Sequence, residues 1–519
     1  MSASPTGTRV RLAELIAMIS LGTDLGMGQP MEHAMRQSLI ALRLAERLGL
    51  DEATRGVVYY VGLIAWVGCH VDAYEQAKWF GDDMALKADA HLVDMAGLPA
   101  RAFMWRHVGA GRGLAERARL GVKFVGAGRR AANEMIENHW LATNELAGRL
   151  GLGPDVREGL SQTFERWDGK GVPAEAKGNE ILVPARLVNL ADVVAVYHRS
   201  GGVDAAVAVA RERSGTQFDP ALVDVFCSEA PTLFRDIDSV TTWPAVIEAE
   251  PALEIVLSDD ELESALEAIA DFADLKSPWT IGHSRGVADL ARAATQIYGL
   301  SAADANLVRR AGLVHDFGRL GVSNVIWDKP GTLTAAEVER VRLHPYLTER
   351  MLASSEALAS VGAIAVQHHE RLDGSGYPRG LSGDAIAPAG RVLAAADAYH
   401  AMTEPRPHRA ARTAEEAWAE LRAGVRRALF DGDAVDAVLR AEGHPVRRRR
   451  DWPAGLTTRE IEVLRLLVHG LSNKEIADRL VISRKTAGSH VEHIYSKIGA
   501  SNRARASLFA MKHGLVTAD

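Results

Sequence analysis

An internal repeat constrains the fold of this chain more than any other feature of its sequence. Residues 165–173, ERWDGKGVP, match residues 370–378, ERLDGSGYP. In both copies an Ala-Asp pair follows the Asp-Gly step with the same spacing, 24 residues from aspartate to aspartate, and a histidine precedes that step by 29. One shared turn can arise by chance, but several matching separations do not readily do so. Residues 1–240 and 258–443 are therefore predicted to be two copies of one domain.

Both copies carry a helical pattern of apolar residues. The spacing i, i+3, i+4 recurs along them, as at Val287, Leu290, Ala291 and Ala294. Alternation typical of strands is rare, so the sequence predicts an all-α fold. The copies differ mainly by an insertion in the first, where 74 residues separate Ala65 from His139, while 29 separate His315 from His344.

Composition excludes several classes of protein. The 519 residues are 47% hydrophobic and 24% charged, which is typical of globular domains, and the length predicts more than one of them. The two cysteines, Cys69 and Cys227, form no CxxC pair, so a disulfide framework is not expected. No signal peptide and no apolar run of membrane-spanning length are found, and a cytoplasmic protein without a membrane partner is expected.

The second copy contains a set of residues typical of metal ligands. Imidazole and carboxylate together suit divalent transition metals, and two ions a few ångströms apart can hold both oxygens of a phosphoryl displacement. The set consists of His283, His315, Asp316, His344, His368, His369 and Asp397. An adjacent His-Asp pair at the end of a helix can grip one ion, and its aspartate can bridge to a second.

These residues lie in stretches that resemble the HD-GYP phosphodiesterases of the HD superfamily. The stretches include residues 315–321 HDFGRLG, 329–334 KPGTLT, 368–378 HHERLDGSGYP and 403–409 TEPRPHR. The resemblance implies two divalent ions, with iron or manganese expected. It assigns His283, His315, Asp316 and Asp397 to the first ion. It assigns Asp316, His344, His368 and His369 to the second.

The same resemblance implies a substrate and the residues that act on it. Members of the family cleave cyclic di-GMP, so a cyclic dinucleotide or a related phosphoester is the expected ligand. Asp316 and Arg319 are the catalytic candidates. The substrate-binding candidates are Gly376, Tyr377, Pro378, Arg406 and Arg409, and arginine forks suit phosphate oxygens.

This chain departs from the family pattern at several positions. Arg319 replaces the usual lysine, His400 a usual aspartate and His408 a usual tyrosine, while Trp279 stands where members with a third metal carry glutamate. Two functions therefore stay open for the second copy. It is either a metal-dependent phosphodiesterase or a catalytically silent domain that senses a metal or nucleotide and controls the rest of the chain.

The first copy has lost most of this chemistry. Ala65-Trp66 and Thr163-Phe164 occupy the His-Asp and His-His positions, and only His33, His139 and Asp192 remain. The first copy is predicted to be non-catalytic. A scaffold role, ligand sensing and dimerisation remain alternatives for it.

The chain ends in a different pattern, from residue 456 to 519. Thr457 and Glu460, and then Ser472 and Glu475, form capping boxes that open two helices, and Ser483 caps a third after a short turn. This spacing predicts a helix-turn-helix whose second helix enters the major groove. The segment holds ten Lys or Arg and six Asp or Glu, a surplus of four positive charges in a chain of net charge −7. The preceding linker, residues 444–455, adds the four arginines 447–450.

This segment resembles the LuxR-type DNA-binding domain, a four-helix module. The resemblance implies double-stranded DNA as partner, binding as a homodimer and a role in transcriptional regulation. Candidates for phosphate contact or positioning are Asn473, Lys474, Arg484, Lys485, Thr486, His490 and Lys497. Candidates for base contact are Gly488, Ser489 and Glu492.

Overall fold

The computed structural model describes residues 10–173, 176–251, 255–443 and 452–515. Regular secondary structure in these ranges is helical and includes no strand beyond isolated bridges, which confirms the all-α prediction. The chain divides into two compact units, Met1–Leu262 and Glu263–Asp519. The arginines 447–450 lie outside the described residues.

The first unit is built from eleven α-helices within its described residues. They are α1 Leu12–Gly26, α2 His33–Arg47, α3 Glu52–Ile64, α4 Ala73–Phe80, α5 Asp83–Ala90, α6 Gly97–His107, α7 Leu114–Arg149, α8 Pro154–Ser161, α9 Val183–Glu212, α10 Pro220–Leu233 and α11 Thr242–Glu248. Helix α9 is kinked at Gly201 and Gly202, where the backbone leaves helical angles.

The second unit follows from α12, which crosses the boundary between the units. Its helices in the described ranges are α12 Asp259–Asp274, α13 His283–Tyr298, α14 Ala302–Val314, α15 Asn324–Trp327, α16 Ala335–Arg342, α17 His344–Leu352, α18 Glu356–Ala365, α19 Pro388–Thr403, α20 Ala414–Arg426, α21 Gly432–Ala441, α22 Thr458–Val468, α23 Asn473–Leu480, α24 Arg484–Ile498 and α25 Arg503–Lys512. Helix α13 is central and packs against α14, α19 and α21.

Matching glycines show that the repeated parts of the two units pack alike at one point. A Cβ atom on Gly68 would lie 2.3 Å from the His139 carbonyl oxygen, and one on Gly318 would lie 2.0 Å from that of His344. Both glycines stand three residues after the His-Asp position or its Ala-Trp equivalent. Only glycine permits so close an approach of two backbones. The duplicated domains therefore share the packing that joins these two segments, although one has lost its ligands.

The insertion in the first unit forms a small core of its own. Phe80, Leu86, Phe103, Val108 and Leu120 are buried against one another, and they come from the segments that include α4, α5, α6 and the start of α7. This cluster gives the segment between Ala65 and His139 buried apolar contacts of its own. The insertion is thus a folded addition to the repeated domain.

The C-terminal helices begin where the sequence predicts. Thr457 and Ser472 each accept from the backbone N–H three residues on, and Glu460 and Glu475 complete the two capping boxes. Ser483 caps α24 in the same way, through the Thr486 N–H. Each cap satisfies a backbone donor that the first helical turn leaves free.

Membrane-spanning helices need both length and sustained hydropathy. Among the described residues no single helix passes both criteria. One bent pair, Glu52–His70 with Ala73–Phe80, passes them together on length and composition alone.

Candidate metal centre and DNA interface

The His315-Asp316 pair lies where α14 ends. His315 is the C-cap of α14, and a short 3₁₀ helix, Phe317–Gly321, follows Asp316. The change of direction turns both side chains into one buried space. Thr348 ties this turn to α17, because it accepts from the Gly318 N–H at 2.8 Å and donates to the His315 carbonyl at 3.0 Å.

Asp316 lies between two groups of histidines. Its Oδ2 atom is 3.7 Å from His283 Nε2 and 3.6 Å from His315 Nε2. Its Oδ1 atom is 3.2 Å from His344 Nε2 and 3.7 Å from His368 Nε2. One carboxylate thus offers a different oxygen to each group, which is the arrangement that a bridging ligand needs.

Asp397 and His369 complete the cluster. Asp397 Oδ1 is 3.4 Å from His283 Nε2 and 3.7 Å from His315 Nε2. Its Oδ2 atom is 3.8 Å from His369 Nδ1, and His369 lies within ligand distance of His344 and His368. All seven sequence-predicted ligands therefore converge in one place.

In three histidines the ring nitrogen that points away from the cluster is hydrogen-bonded to the backbone, and this determines which nitrogen faces the centre. Nδ1 of His315, His344 and His368 lies 2.7, 2.6 and 2.6 Å from a backbone carbonyl oxygen. A carbonyl only accepts hydrogen bonds, so Nδ1 carries the proton and Nε2 presents its lone pair to the centre. Metal-binding histidines are held in this way.

Two observations test whether the centre fits metal ions. His315 Nε2 is buried and has no hydrogen-bond partner among the residues that the structure describes. His344 Nε2 and His368 Nε2 are 3.1 Å apart, although each presents a lone pair. Nitrogens at right angles around an ion, with metal–nitrogen distances of about 2.0–2.1 Å, are about 3 Å apart. The cluster therefore fits a cation between these rings.

The electrostatics of the cluster favour the same conclusion. Burial and the neighbouring His315 and His344 lower the pKa of His368 to about 3, which keeps that ring neutral as a ligand must be. Burial opposes ionisation of Asp316, but His315 and Arg319 outweigh it and hold the pKa of that carboxyl well below its usual range. Burial also lowers the pKa of His283, yet the carboxylates of Glu404 and Asp397 raise it overall to about 10. The carboxylates around His283 therefore stabilise a positive charge there, carried either by a proton on the ring or by a bound cation.

Arg319 lies at the edge of the centre. Its Nη1 atom donates to Asp316 Oδ2 at 2.9 Å, and its guanidinium stacks 4.0 Å from the centre of the Trp327 ring. The side chain is thus held beside the proposed bridge with its charge directed inward. A fixed guanidinium can stabilise a phosphoryl oxygen but exchanges protons poorly at neutral pH.

The Gly-Tyr-Pro loop, residues 376–378, forms one rim of the centre. The Tyr377 ring lies 4.7 Å from that of His369 and 6.3 Å from that of His344. Gly376 has a backbone role, because a Cβ there would lie 2.4 Å from the Arg371 nitrogen. Tyr377 therefore places its ring beside two of the proposed ligands.

Arg406 and Arg409, the arginines expected to contact phosphate, both make hydrogen bonds within the protein. Arg409 donates to the carbonyls of Ala401, Met402, Glu404 and Ala410, so its guanidinium caps the end of α19. Arg406 donates to the Trp279 carbonyl at 2.5 Å and to Glu404 Oε2 at 2.8 Å. Both charges are satisfied within the protein, because α19 ends in carbonyls and a buried carboxylate that need donors.

Sequence reasoning missed Glu404, which is buried beside His283 and His400. The signal was its spacing, since Asp397, His400 and Glu404 follow at i, i+3 and i+7 along one side of α19 and its cap. The partner of Glu404 is His283, 121 residues away. No local pattern could identify that pairing.

The first unit keeps a smaller cluster at the equivalent place. His33 Nε2 lies 2.9 Å from Asp192 Oδ1, and His91 Nε2 lies 3.7 Å from the same atom. His91, which the sequence comparison missed, comes from the insertion. The Nε2 atom of His139 is instead hydrogen-bonded to the Ala65 carbonyl at 2.9 Å.

The candidate DNA-binding side chains divide into two groups. Lys474, Arg484, Lys485, Thr486, Ser489 and Glu492 are exposed, while Asn473, Gly488 and His490 are half-buried. Lys497 is engaged within the domain, since its Nζ atom donates to Glu460 Oε2 at 2.8 Å and to the Gly455 carbonyl at 3.2 Å. Lys497 thus supplies a cation to the buried Glu460 carboxylate, and its contact with DNA phosphate stays a prediction.

Comparison with known proteins places both parts of the chain. The model of the HD domain matches residues 128–222 and 267–434, in both repeated units, and these ranges cover half of the chain. The chain belongs to the HD-domain family. The model of the bacterial regulatory proteins of the luxR family matches residues 454–510. An HD domain is thus fused to a LuxR-type DNA-binding domain, as the sequence predicts.

Several HD-domain relatives are phosphodiesterases of cyclic dinucleotides. The 3'3'-cGAMP-specific phosphodiesterase 3 of Vibrio cholerae is 31% identical over 434 residues, which are 83% of this chain and 94% of that protein. The cyclic di-GMP phosphodiesterase response regulator RpfG of Xanthomonas campestris is 32% identical over 216 residues, 41% of this chain and 57% of that protein. A crystal structure of a cyclic GMP-AMP-specific phosphodiesterase of V. cholerae, V-cGAP3, matches with a TM-score of 0.59 and 27% identity. It covers 84% of this chain and 99% of that one.

Proposed function

We propose that the second unit is a dinuclear metal phosphodiesterase. The observation that carries this proposal is the position of Asp316, whose two oxygens face two separate groups of histidines. His283, His315, Asp316 and Asp397 would hold one ion, and Asp316, His344, His368 and His369 the other. When bound, two such ions supply an activated hydroxide and stabilise the charge of a phosphoryl displacement. Arg319 would stabilise the phosphoryl oxygens, and Tyr377 would orient the substrate at the rim.

We propose a cyclic dinucleotide as the substrate, with 3'3'-cGAMP as the first candidate. The support is the extent of similarity, because the cGAMP-specific relative matches 83% of this chain, including parts of both repeated units. Relatives named for cyclic di-GMP match shorter parts, such as 41% for RpfG. Cyclic di-GMP remains the second compound to test.

Metal analysis of the purified full-length protein tests the centre. We expect about two transition-metal ions per chain, and we expect Asp316→Ala to lose most of both because it removes the shared ligand. Asp192→Ala in the first unit is the matched control and should leave metal content unchanged. Full metal content in Asp316→Ala would refute the bridging assignment.

Turnover assays distinguish the enzyme from a sensor. Manganese- or iron-loaded protein should hydrolyse 3'3'-cGAMP or cyclic di-GMP, and His315→Ala should abolish the reaction. Arg319→Lys should keep or raise the rate, because lysine restores a proton-exchanging group at this position. Binding without hydrolysis by both wild type and Arg319→Lys, with each metal, would favour a silent nucleotide-sensing domain.

We further propose that the HD domain of the second unit controls the DNA-binding domain and that the chain acts as a cytoplasmic transcriptional regulator. Gly470, in the turn between α22 and α23, supports this coupling. A Cβ there would lie 3.5 Å from Pro278 and 3.6 Å from Trp279, next to the segment that leads into His283. A ligand can shift DNA affinity only if it binds one arrangement of these parts better than another.

Homodimerisation through the insertion would complete the regulator. Helix-turn-helix dimers bind two half-sites, one per subunit. Leu114, Val122 and Val125 of α7 are 87%, 77% and 72% exposed, and with Ala118 they form an apolar stripe at spacings of 4, 4 and 3 residues. Such a stripe suits packing against the same helix of a second copy.

Binding of selected DNA tests the coupling. Operator duplexes would be selected from random sequence with the full-length protein, and their affinity measured by fluorescence anisotropy with and without manganese and 3'3'-cGAMP. We expect the ligands to change the affinity. Equal affinities in all conditions would show that the two domains act independently.

A further inference from the structure

Glu404 is a buried carboxylate that directly contacts one of the proposed metal ligands. It is 2% exposed and follows the last residue of α19. Its Oε2 atom is 2.9 Å from His283 Nδ1, and its Oε1 atom is 3.1 Å from His400 Nδ1. Arg406 donates to the same Oε2 atom at 2.8 Å and is itself anchored on the Trp279 carbonyl. The carboxylate is therefore fixed from several sides.

This contact determines which nitrogen of His283 faces the metal centre. An ionised carboxylate only accepts hydrogen bonds, so Nδ1 keeps its proton, and Nε2 is the nitrogen whose proton a bound metal ion would replace. Nε2 is the atom that lies 3.4 Å from Asp397 Oδ1 and 3.7 Å from Asp316 Oδ2. For His315, His344 and His368 a backbone carbonyl accepts the hydrogen bond from Nδ1 instead. A carboxylate also makes the ring a stronger donor to a metal.

A glycine of α13 leaves the space that the His400 side chain occupies beside Glu404. A Cβ atom on Gly286 would lie 1.8 Å from His400 Nε2. Any larger residue at this position would displace His400, which packs against Glu404. Gly286 is one turn after His283 on the same helix, so ligand and support are held by one element.

The first unit contains the opposite charge at the equivalent position. Arg199 follows Asp192 by seven residues, as Glu404 follows Asp397. Arg199 Nη1 lies 3.5 Å from His33 Nδ1, and His33 Nε2 lies 2.9 Å from Asp192 Oδ1. The Asp192 carboxylate only accepts, so the Nε2–H of His33 is donated to it and the remaining lone pair lies on Nδ1, on the side of Arg199. Arg406 Nη2 also lies 3.5 Å from His283 Nδ1, but there Glu404 Oε2, at 2.9 Å, accepts the hydrogen bond from Nδ1. His33 therefore has no lone pair on Nε2, the nitrogen that in His283 would face a metal ion.

We propose that Glu404 is the positioning residue of the metal centre, which orients His283 towards the first ion and leaves the second ion independent of it. The exchange of this carboxylate for Arg199 is one reason that the first unit does not form an equivalent site. This inference rests on the proposed dinuclear centre.

The test measures metal affinity at each site of the full-length protein by competition with a chelator. Glu404→Gln keeps the volume of the side chain but not its charge, and Glu404→Arg introduces the residue of the first unit. We expect the affinity for one ion to fall by about 10–100-fold in Glu404→Gln, and that ion to be lost in Glu404→Arg. The second ion should remain. Glu404→Asp should recover part of the affinity, and Glu420→Gln on α20 is the control for loss of a surface carboxylate.

The outcomes separate this inference from the proposal on which it rests. A wild-type protein without bound metal would refute the dinuclear centre itself. A wild-type protein with two ions and unchanged affinities in Glu404→Gln and Glu404→Arg would refute only the positioning role. Equal loss of both ions, with a lower melting temperature of the metal-free protein, would show that Glu404 acts through stability alone. Selective loss of one ion at an unchanged melting temperature is the expected result.

Discussion

Substitution of Gly318 by alanine should damage the metal centre through the backbone. The added Cβ would lie 2.0 Å from the His344 carbonyl oxygen and 2.8 Å from the Thr348 nitrogen. To reach even 3.0 Å from that oxygen, the 3₁₀ turn and the start of α17 must separate by about 1 Å. Such overpacking costs about 1–3 kcal/mol, and engineered metal sites tolerate ligand errors of only about 0.2 Å. The displaced residue is His344 itself, so the second ion should be lost first.

The duplicated fold supplies a matched control. Gly68→Ala makes the same contact in the first unit, with a Cβ 2.3 Å from the His139 carbonyl oxygen and 2.6 Å from Thr143 Oγ1. Both variants should lower the melting temperature of their own unit by roughly 2–12 °C. Only Gly318→Ala should reduce metal content and hydrolysis.

Calorimetry and metal analysis of the full-length variants measure both effects. Gly318→Ala with wild-type stability and two bound ions would refute the argument that this close approach holds α17 in place. Equal loss of metal in Gly68→Ala would refute the independence of the two units.

Three further results are expected. Lys485→Ala should weaken binding to all DNA sequences and reduce the slope of log affinity against log salt by about 1, because an exposed phosphate contact is lost; an unchanged slope in anisotropy titrations would remove Lys485 from the interface. Burial raises the pKa of Glu460, but Lys497 and Thr457 have the larger effect and lower that pKa to about 2. The ionised carboxylate therefore stabilises the domain above the unfolded pKa of about 4.5, and this stabilisation is lost as the pH falls towards 2. Glu460→Gln should therefore flatten the acid side of the stability curve of this domain, and calorimetry between pH 6 and 3 that shows the same slope in both proteins would contradict it. Val122→Glu on α7 should convert a dimer to a monomer in light scattering, because it places a charge in the apolar stripe, whereas a wild type that is monomeric at all concentrations would rule out this interface.

Much of the architecture follows from local sequence. The capping boxes at Thr457 and Ser472 locate the starts of α22 and α23, because cap residues satisfy the backbone within three residues. The helical spacing of apolar residues gives the all-α class for the same local reason. The seven metal-ligand candidates also follow from spacing, and the structure brings all of them together.

The hydrogen-bond partners of the charged side chains cannot be predicted from the sequence. Arg406 and Arg409 match phosphate-contacting positions by motif, yet both are taken up by carbonyls and by Glu404. Lys497 likewise forms an ion pair with Glu460, which is 37 residues away in sequence. A motif gives the type of side chain, whereas its partner depends on which acceptors the fold buries nearby.

The sequence by itself determined the repeat, the helical class and the DNA-binding module, because each depends on spacings along the chain. Through its resemblance to a family it also predicted a set of metal ligands. Only the tertiary structure decided that Asp316 offers one oxygen to each group of histidines, and that Glu404 selects the nitrogen with which His283 faces them. It also revealed that Arg199 holds the corresponding place in the first unit. These are contacts between residues far apart in sequence, and a hydrogen bond depends on the position and direction of both partners.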